Sequence, residues 1–240
     1  MIFAGILAGG IGSRMNIADM PKQFLPLMGK PIIIHTIEKF LICDKIDYVY
    51  VGVHKEWITH MNDIVEKYLS PFKDKVILTK GGQDRNDTII NIISEIESRH
   101  SICDEDIILT HDGVRPFITR RIIEENIIAA KEHGACDTVI PATDTIVISE
   151  DGGIISHVPE RKQMYQGQTP QSFKISLLKK TYNEITQDEK SILTDACKAL
   201  VIKAVPVAIV LGDVSNIKIT TMTDLKIAEY LVSSEGLKLD

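Results

Sequence analysis

Several stretches of the chain carry residue types suited to holding a polyanion. Leu7-Ala8-Gly9-Gly10-Ile11-Gly12-Ser13-Arg14-Met15 sets small residues ahead of an arginine, and Lys22 lies eight positions beyond it. Small residues let backbone amides approach a phosphate that larger side chains would block. Arg14 adds a forked cation there and Lys22 a point charge. Gly81-Gly82-Gln83-Asp84-Arg85-Asn86-Asp87-Thr88 offers a second loop, with backbone amides and Asp, Asn and Thr groups for a base, ribose or phosphate. Asp87 or Thr88 would equally serve as the cap of a helix beginning nearby. His111-Asp112-Gly113-Val114-Arg115-Pro116 closes a strand-like run. A carboxylate at that point, facing a triphosphate, suits Mg²⁺, a hard cation that takes oxygen ligands. A turn carboxylate paired with Arg115 is the simpler alternative, and His111 reads as structural rather than as a base. Taken alone, Arg161 is an exposed cation, Thr169-Pro170 a loop, and Lys218 a solvent-facing lysine on the strand Asn216–Thr220.

Two commoner phosphate motifs are absent. No lysine follows Gly10 or Gly12 as a P-loop requires, and Met15 occupies the last glycine position of the dinucleotide fingerprint. The 240 residues carry 33 acidic and 27 basic side chains, a formal charge of −6. That balance argues against broad binding of nucleic acid while leaving room for a local basic site. No apolar run approaches the ~20 residues of a membrane helix, so no membrane association is expected. Met1–Gly10 shows no charged leader or cleavage pattern. Cys43, Cys103, Cys136 and Cys197 stand far apart without a C-x-x-C pair, which fits buried thiols in a reducing cytoplasm.

The elements that must position these groups alternate along the first 140 residues. Ile2–Ala8, Tyr48–Val53, Val76–Thr79, Asp106–Thr110 and Thr138–Pro141 read as brief, β-branched buried strands. Between them Ile32–Ile42, Glu56–Leu69, Arg85–Ser98 and Arg121–His133 have helical spacing. Such alternation predicts a mostly parallel sheet with helices on both faces and ligand-binding loops along one rim. After Pro141 the pattern changes: Asp144–Ser149 and Ile154–Val158 alternate around Glu150-Asp151-Gly152-Gly153, predicting a hairpin that projects as an arm. Helices are expected at Phe173–Tyr182, Ser191–Lys203 and Met222–Val232. Strands are expected at Pro206–Leu211 and Asn216–Thr220, with a frayed tail from Ser233. Residues 1–240 read as one domain with an arm at about 142–170.

The glycine loop, together with Pro21-Lys22-Gln23-Phe24, resembles the signature of the cytidylyltransferases that make CDP-activated polyol phosphates. The resemblance extends over nearly the whole chain. It implies a Rossmann-like α/β fold of nucleotidyltransferase type with a dimerising β-arm, hence a homodimer. It assigns Leu7, Ala8, Gly9, Gly10 and Gly82, Gln83, Asp84, Arg85, Asn86, Asp87 and Thr88 to CTP, and Asp112 to Mg²⁺. Arg14, Lys22, Arg161 and Lys218 become the catalytic cations. Arg115, Thr145, Arg161, Thr169 and Lys218 would contact the polyol phosphate, with Thr145 and Arg161 often reaching a neighbouring subunit's site. Asp195-Ala196-Cys197 is also similar to the family, with Asp195 supporting the arm or the substrate and Cys197 in the core.

The family has branches that use ribitol phosphate and methylerythritol phosphate. Asp84–Thr88, Met164–Gln171 and Asp195–Lys198 look more like the ribitol-phosphate branch, whereas the remaining motifs are common to both. The expected reaction is attack of a polyol phosphate on the α-phosphorus of CTP, releasing pyrophosphate, in a cytoplasmic enzyme that feeds a ribitol-containing surface polymer such as teichoic acid. Isoprenoid synthesis is the alternative.

Overall fold

A computed structural model describes residues 1–10 and 20–234. Its centre is β1 (Ile2–Ala8), whose sequence IFAGILA has no polar residue and is covered on both faces. Parallel neighbours flank it: β4 (Tyr48–Val53) on one side and β6 (Ile107–Asp112) on the other. Beyond β4 lies parallel β5 (Val76–Lys80). Continuous apolar strands are what a parallel sheet buried on both faces requires.

The other half of the sheet is mixed. β8 (Tyr165–Lys174) runs antiparallel between β6 and β7 (Ala135–Pro141), and β9 (Ala208–Leu211) pairs in parallel with β7. The strand order is therefore β5-β4-β1-β6-β8-β7-β9, with a separate ribbon of β2 (Pro26–Leu27) and β3 (Lys30–Pro31). The chain steps outward from β1 to β4 and β5, then returns to β6 on the other side. This reversal leaves a crevice at the carboxyl ends of β1 and β6, where ligands bind in open α/β sheets.

Helices cover both faces. α1 (Ile32–Leu41), α2 (Ile58–Leu69) and α4 (Arg120–His133) bury Ile33, Ile37, Phe40, Met61, Ile122 and Ile123 against one face. α3 (Arg85–Arg99), α5 (Ile175–Glu184) and α7 (Ala196–Ile202) bury Ile89, Ile92, Leu178 and Leu200 against the other. α6 (Gln187–Ser191) is a single capped turn, and α8 (Met222–Ser234) packs Leu225 and Ala228 against Leu27, Val114 and Ile219. Helix starts follow the side chains: Asp84, Thr119 and Asp195 each accept a hydrogen bond from an amide in the first turn. Gly134, at φ +83°, ends α4 with the left-handed turn that glycine adopts freely.

Four expectations need correction. Thr169-Pro170, read as a loop, lies inside β8, and the helix placed at Phe173 begins only at Ile175. The helix at Ser191–Lys203 is broken into α6 and α7, because Asp195 caps a new start. Asn216–Thr220 is not a strand; Ile219 makes one backbone bond to Val114 O at 2.9 Å. The projecting hairpin carries only an isolated bridge between Ile148 and His157. Its turn is well made, since Asp151 Oδ1 accepts from Gly153 N, Ile154 N and Ser149 Oγ. Yet Ile154, Ile155 and Val158 are exposed. A two-stranded hairpin with nothing on its apolar face is marginal, which explains the missing ladder.

Candidate active site

Two loops and a strand end enclose a cavity of about 270 Å³ at the carboxyl rim of β1 and β6. The first loop leaves β1 at Ala8. Gln23, buried on a single helical turn at Lys22–Phe24, donates from its amide to Ala8 O (2.9 Å) and Gly10 O (3.1 Å). That clamp ties the Ala8 and Gly10 carbonyls to the turn that carries Lys22, which lines the cavity.

The second loop follows β5. Asp84 caps α3 by accepting from Asp87 N at 2.8 Å, so the cap is neither Asp87 nor Thr88. Thr88 Oγ1 instead donates to Asp84 O (2.8 Å) and accepts from Gly82 N (3.0 Å), which folds the loop back on the helix. Glycine is required on both sides of this joint. A Cβ at Gly82 would lie 2.1 Å from Asp87 Cβ, and one at Gly52 in β4 would lie 2.4 Å from Thr88 Cγ2. The two loops meet closely as well, since a Cβ on Gly81 would stand 3.3 Å from Gly9 Cα. A helix start and two glycine loops thus converge on one space, an arrangement suited to phosphate.

Asp112 ends β6 at the floor of this space. Arg85 Nη1 reaches its Oδ1 at 3.2 Å, while Arg115 Nε and Lys218 Nζ each reach Oδ2 at 3.1 Å. Burial by itself would raise the Asp112 pKa. Arg85, Lys218 and Arg115 outweigh it and hold the carboxyl far below the usual carboxylate range. Three cations share one carboxylate in this cluster, and Lys22 lines the same cavity. A chain of net charge −6 therefore concentrates positive charge where a polyphosphate would lie.

His111 is fully buried between Thr169 and Arg115. Its Nε2 lies 3.1 Å from Arg115 O, an oxygen that only accepts, so Nε2 carries the proton and Nδ1 accepts from Thr169 Oγ1 at 2.9 Å. Thr169 Oγ1 in turn accepts from Asp112 N at 3.2 Å. Burial, partly offset by the Arg115 carbonyl, pushes the imidazole down to about 4. His111 is a neutral brace for the Asp112 turn, in line with its reading as a structural group.

The expected site residues divide into three groups. Leu7, Ala8, Gly9, Gly10, Lys22, Gly82, Gln83, Asp84, Arg85, Thr88, Asp112 and Lys218 all line the cavity. Others lie outside its lining. Asn86 accepts from Tyr182 Oη at 2.7 Å, and Arg115 sits behind Asp112 with Nη1 on Asn216 O at 2.8 Å. Thr169 is buried on His111, while Asp87 and Thr145 are exposed. Arg161 donates to Thr143 O at the base of the arm. Arg14 lies outside the described residues. Gln23 and Gln171 are contributions that sequence reasoning left unassigned. Gln171 Oε1 accepts from Arg85 Nη2 at 3.3 Å and so aims that guanidinium at Asp112.

Among the described residues two carboxylates line the cavity, Asp112 and Asp84, and Asp84 is engaged as the cap of α3. Mg²⁺ commonly binds through one or two carboxylates plus substrate phosphates and waters. The donor set therefore fits a cation held largely by phosphate oxygens, with Asp112 sharing its charge with three side chains. Among the described residues, the group with metal-ligand spacing is Cys43, Asp44 and Glu124, and none of the three lines the cavity.

A parallel-sheet crevice with interlocked glycine loops and a cation-rich floor defines a nucleotide-binding α/β enzyme of the nucleotidyltransferase type. The family model described as 2-C-methyl-D-erythritol 4-phosphate cytidylyltransferase matches residues 2–234, and the chain belongs to that family. It is 52% identical over 235 residues to a ribitol-5-phosphate cytidylyltransferase of Streptococcus pneumoniae serotype 2, covering 98% of this chain and 100% of the relative. Among solved structures, a 4-diphosphocytidyl-2C-methyl-D-erythritol synthase from Anaerococcus prevotii superposes with a TM-score of 0.80. It has 26% identity and covers 97% of this chain and 96% of its own. The 2-C-methyl-D-erythritol 4-phosphate cytidylyltransferase of Francisella tularensis gives a TM-score of 0.79 at 25% identity, covering 95% and 98%.

Proposed function

We propose that the chain converts CTP and D-ribitol 5-phosphate to CDP-ribitol and pyrophosphate. The observation that carries this reading is the 52% identity, over 98% of the chain, to a ribitol-5-phosphate cytidylyltransferase. The two solved structures described above, named for methylerythritol substrates, stand at 25–26%. A methylerythritol-phosphate substrate is the second reading, favoured by the description of the matching family.

In this mechanism an oxygen of the ribitol phosphate forms a bond to the α-phosphorus of CTP. The bond from that phosphorus to the bridging oxygen breaks, and pyrophosphate leaves with the electron pair. A phosphate monoester is largely ionised near neutral pH, its second pKa being about 6, so no general base is needed. The obstacle is repulsion between two anions, and the protein's contribution is positioning and charge neutralisation. The glycine loop and the Gly82–Thr88 turn hold the nucleotide. Lys22, together with Arg14, stabilises charge on the α-phosphate and pyrophosphate. Lys218 and a cation from the arm, Arg161, align the incoming phosphate, with Arg115, Thr145 and Thr169 completing that side. When bound, Mg²⁺ would neutralise triphosphate charge, with Asp112 the residue to hold it.

Arg161 and Thr145 lie away from this chain's own cavity, and the arm exposes Ile154, Ile155 and Val158. We therefore assign the arm to a homodimer in which it serves the partner's cavity. No helix among the described residues is long and apolar enough to cross a membrane. A cytoplasmic enzyme supplying a ribitol polymer, teichoic acid among them, is the setting we propose. Pyrophosphate release with CTP and Mg²⁺ tests the reading. Strong preference for D-ribitol 5-phosphate over methylerythritol 4-phosphate supports it, and the reverse preference overturns it.

A further inference from the structure

Polar groups continue from the cavity floor along the sheet face covered by α3, α5 and α7. Asp112 Oδ1 meets Arg85 Nη1, Arg85 Nη2 meets Gln171 Oε1, and Gln171 pairs in register with Asp137 on the neighbouring strand. The row ends at the Asp137 carboxylate. Its Oδ1 is shut off from water and has no hydrogen-bond partner. Its Oδ2 is the one atom within 4 Å of the position a Cβ would take at Gly167, at 4.0 Å. Gly167 is exposed, and it stands where β8 emerges from the arm. Asp137 is only partly buried, and Oδ2 is its oxygen on the side of the exposed Gly167.

Asp137 is held by neutral side chains alone, the Gln171 amide and the Cys197 thiol, and its Oδ1 stays unpaired. No salt bridge reaches it among the described residues; Arg85, the cation nearest in the row, is committed to Asp112 and Gln171. The wall behind it includes Cys197 and Phe173, and Asp195 adds a second negative charge from the start of α7. Burial, with Asp195 adding to it against the pull of Gln171, pushes the Asp137 carboxyl up to about 6. A buried polar atom left unpaired normally calls for a partner that the isolated protein does not contain. A carboxylate oxygen and a neighbouring side-chain amide, without a cation of their own, suit a neutral donor–acceptor such as an alcohol.

We propose that Asp137 is a specificity residue that accepts a hydrogen bond from a hydroxyl of the polyol chain, with Gln171 beside it and the exposed Gly167 side admitting the chain. The proposal rests on the polyol-phosphate reading above. It adds where the carbon chain lies: the phosphate over Lys218 and Asp112, the hydroxyls directed along the Gln171 row toward Gly167.

The test compares the full-length wild type with Asp137→Asn and Gly167→Ala, using CTP, D-ribitol 5-phosphate and its monodeoxy analogues. The wild type should discriminate against one monodeoxy analogue by roughly 10–100-fold in kcat/KM, the effect of losing a hydrogen bond to a charged group. Asp137→Asn should lose a similar factor on ribitol phosphate but little on that analogue, with KM for CTP within about twofold. Gly167→Ala adds a Cβ with only an ordinary contact; it should raise KM for the polyol phosphate and leave CTP unchanged. Wild-type discrimination retained in Asp137→Asn, or equal losses on every analogue, would overturn the proposal. Turnover of methylerythritol phosphate alone by the wild type would sink the ribitol reading. The same cycle on that substrate's deoxy analogues would then still decide whether Asp137 reads a hydroxyl.

Discussion

The nucleotide loops and the arm are made from similar amounts of chain but differ in what holds them. Among the described residues around the cavity the turns are tied to one another: Gln23 clamps Ala8 and Gly10, Thr88 folds the second loop, and Asp112 gathers Arg85, Arg115 and Lys218 from three separate segments. Between Ala142 and Met164 a bridge at Ile148 and His157 and the Asp151 turn stand beside exposed Ile154 and Ile155. The described contacts around the cavity are made within one chain without a ligand, which places donors without reorganisation at the moment of reaction. The arm exposes apolar surface, a feature that marks interaction sites. Chemistry that depends on position is built into one chain, and the part that is left loose is the part we assign to a partner.

Removing the hub of the tied region should have the largest effect. Asp112→Asn leaves Arg85, Arg115 and Lys218 facing one another with no anion, and should destabilise the fold by about 3–5 kcal/mol, as breaking a buried ion pair does. Chemical denaturation reads this directly, and a loss under 1 kcal/mol would mean that the cluster is not the joint described. The pH dependence has a definite sign. The Asp112 pKa is depressed in the folded state, so its contribution is complete above the ordinary carboxylate range and fades as pH falls below about 4. Next comes Lys22→Ala, which leaves the fold standing and should cost roughly 10²–10³-fold in kcat, the scale of one transition-state charge contact. Wild-type turnover in a folded Lys22→Ala enzyme would remove Lys22 from the mechanism.

The tied region was also the more legible one in the sequence. Apolar runs fixed β1 and β4 to the residue, because strands buried on both faces have no polar positions to blur their ends. β8 was hidden for the opposite reason: Gln168, Thr169, Gln171 and Ser172 are buried but polar, satisfied by Asp213, His111, Arg85 and Asn126. A proline within the run demotes a strand as well. The strand Thr138–Pro141 was started too late because Asp137 interrupts it with a charge. Glycines and cations of the cavity were visible as types and spacings. What each one touches was not, since Arg85 at the start of α3 meets Asp112 at the end of β6 only once α3 packs on β1, β4 and β5. Gln23 gave no signal beyond its place in a motif, because an amide clamping two carbonyls looks like any surface glutamine in a sequence.

Asp137 sharpens the comparison, since it is a place inside the tied region where stability is given up. Its folded pKa, about 6, lies above the unfolded value, so the folded state binds the extra proton. The stabilisation is full below about pH 4 and is lost as pH rises through 6. Asp137→Asn removes that penalty and should make the protein more stable at pH 8 by on the order of 1–3 kcal/mol, with little change at pH 4. Denaturation midpoints at the two pH values check it; a variant less stable at pH 8 would mean that the carboxylate has a structural partner.

Substitution in the arm should have the smallest effect on the isolated fold and a clear one on assembly. Ile154 is 74% exposed, so Ile154→Asp removes no buried contact and should change stability by no more than about 0.5 kcal/mol. If a second chain covers that surface, the added carboxylate must be desolvated on docking, and sedimentation should move from dimer toward monomer at micromolar protein. Turnover should then fall with dilution, because the cavity loses the partner's Arg161, while CTP affinity, set by loops within one chain, should hold. A variant that stays dimeric with full activity would remove the arm from the site. A monomer with full activity would separate assembly from catalysis and make the nucleotide region sufficient by itself.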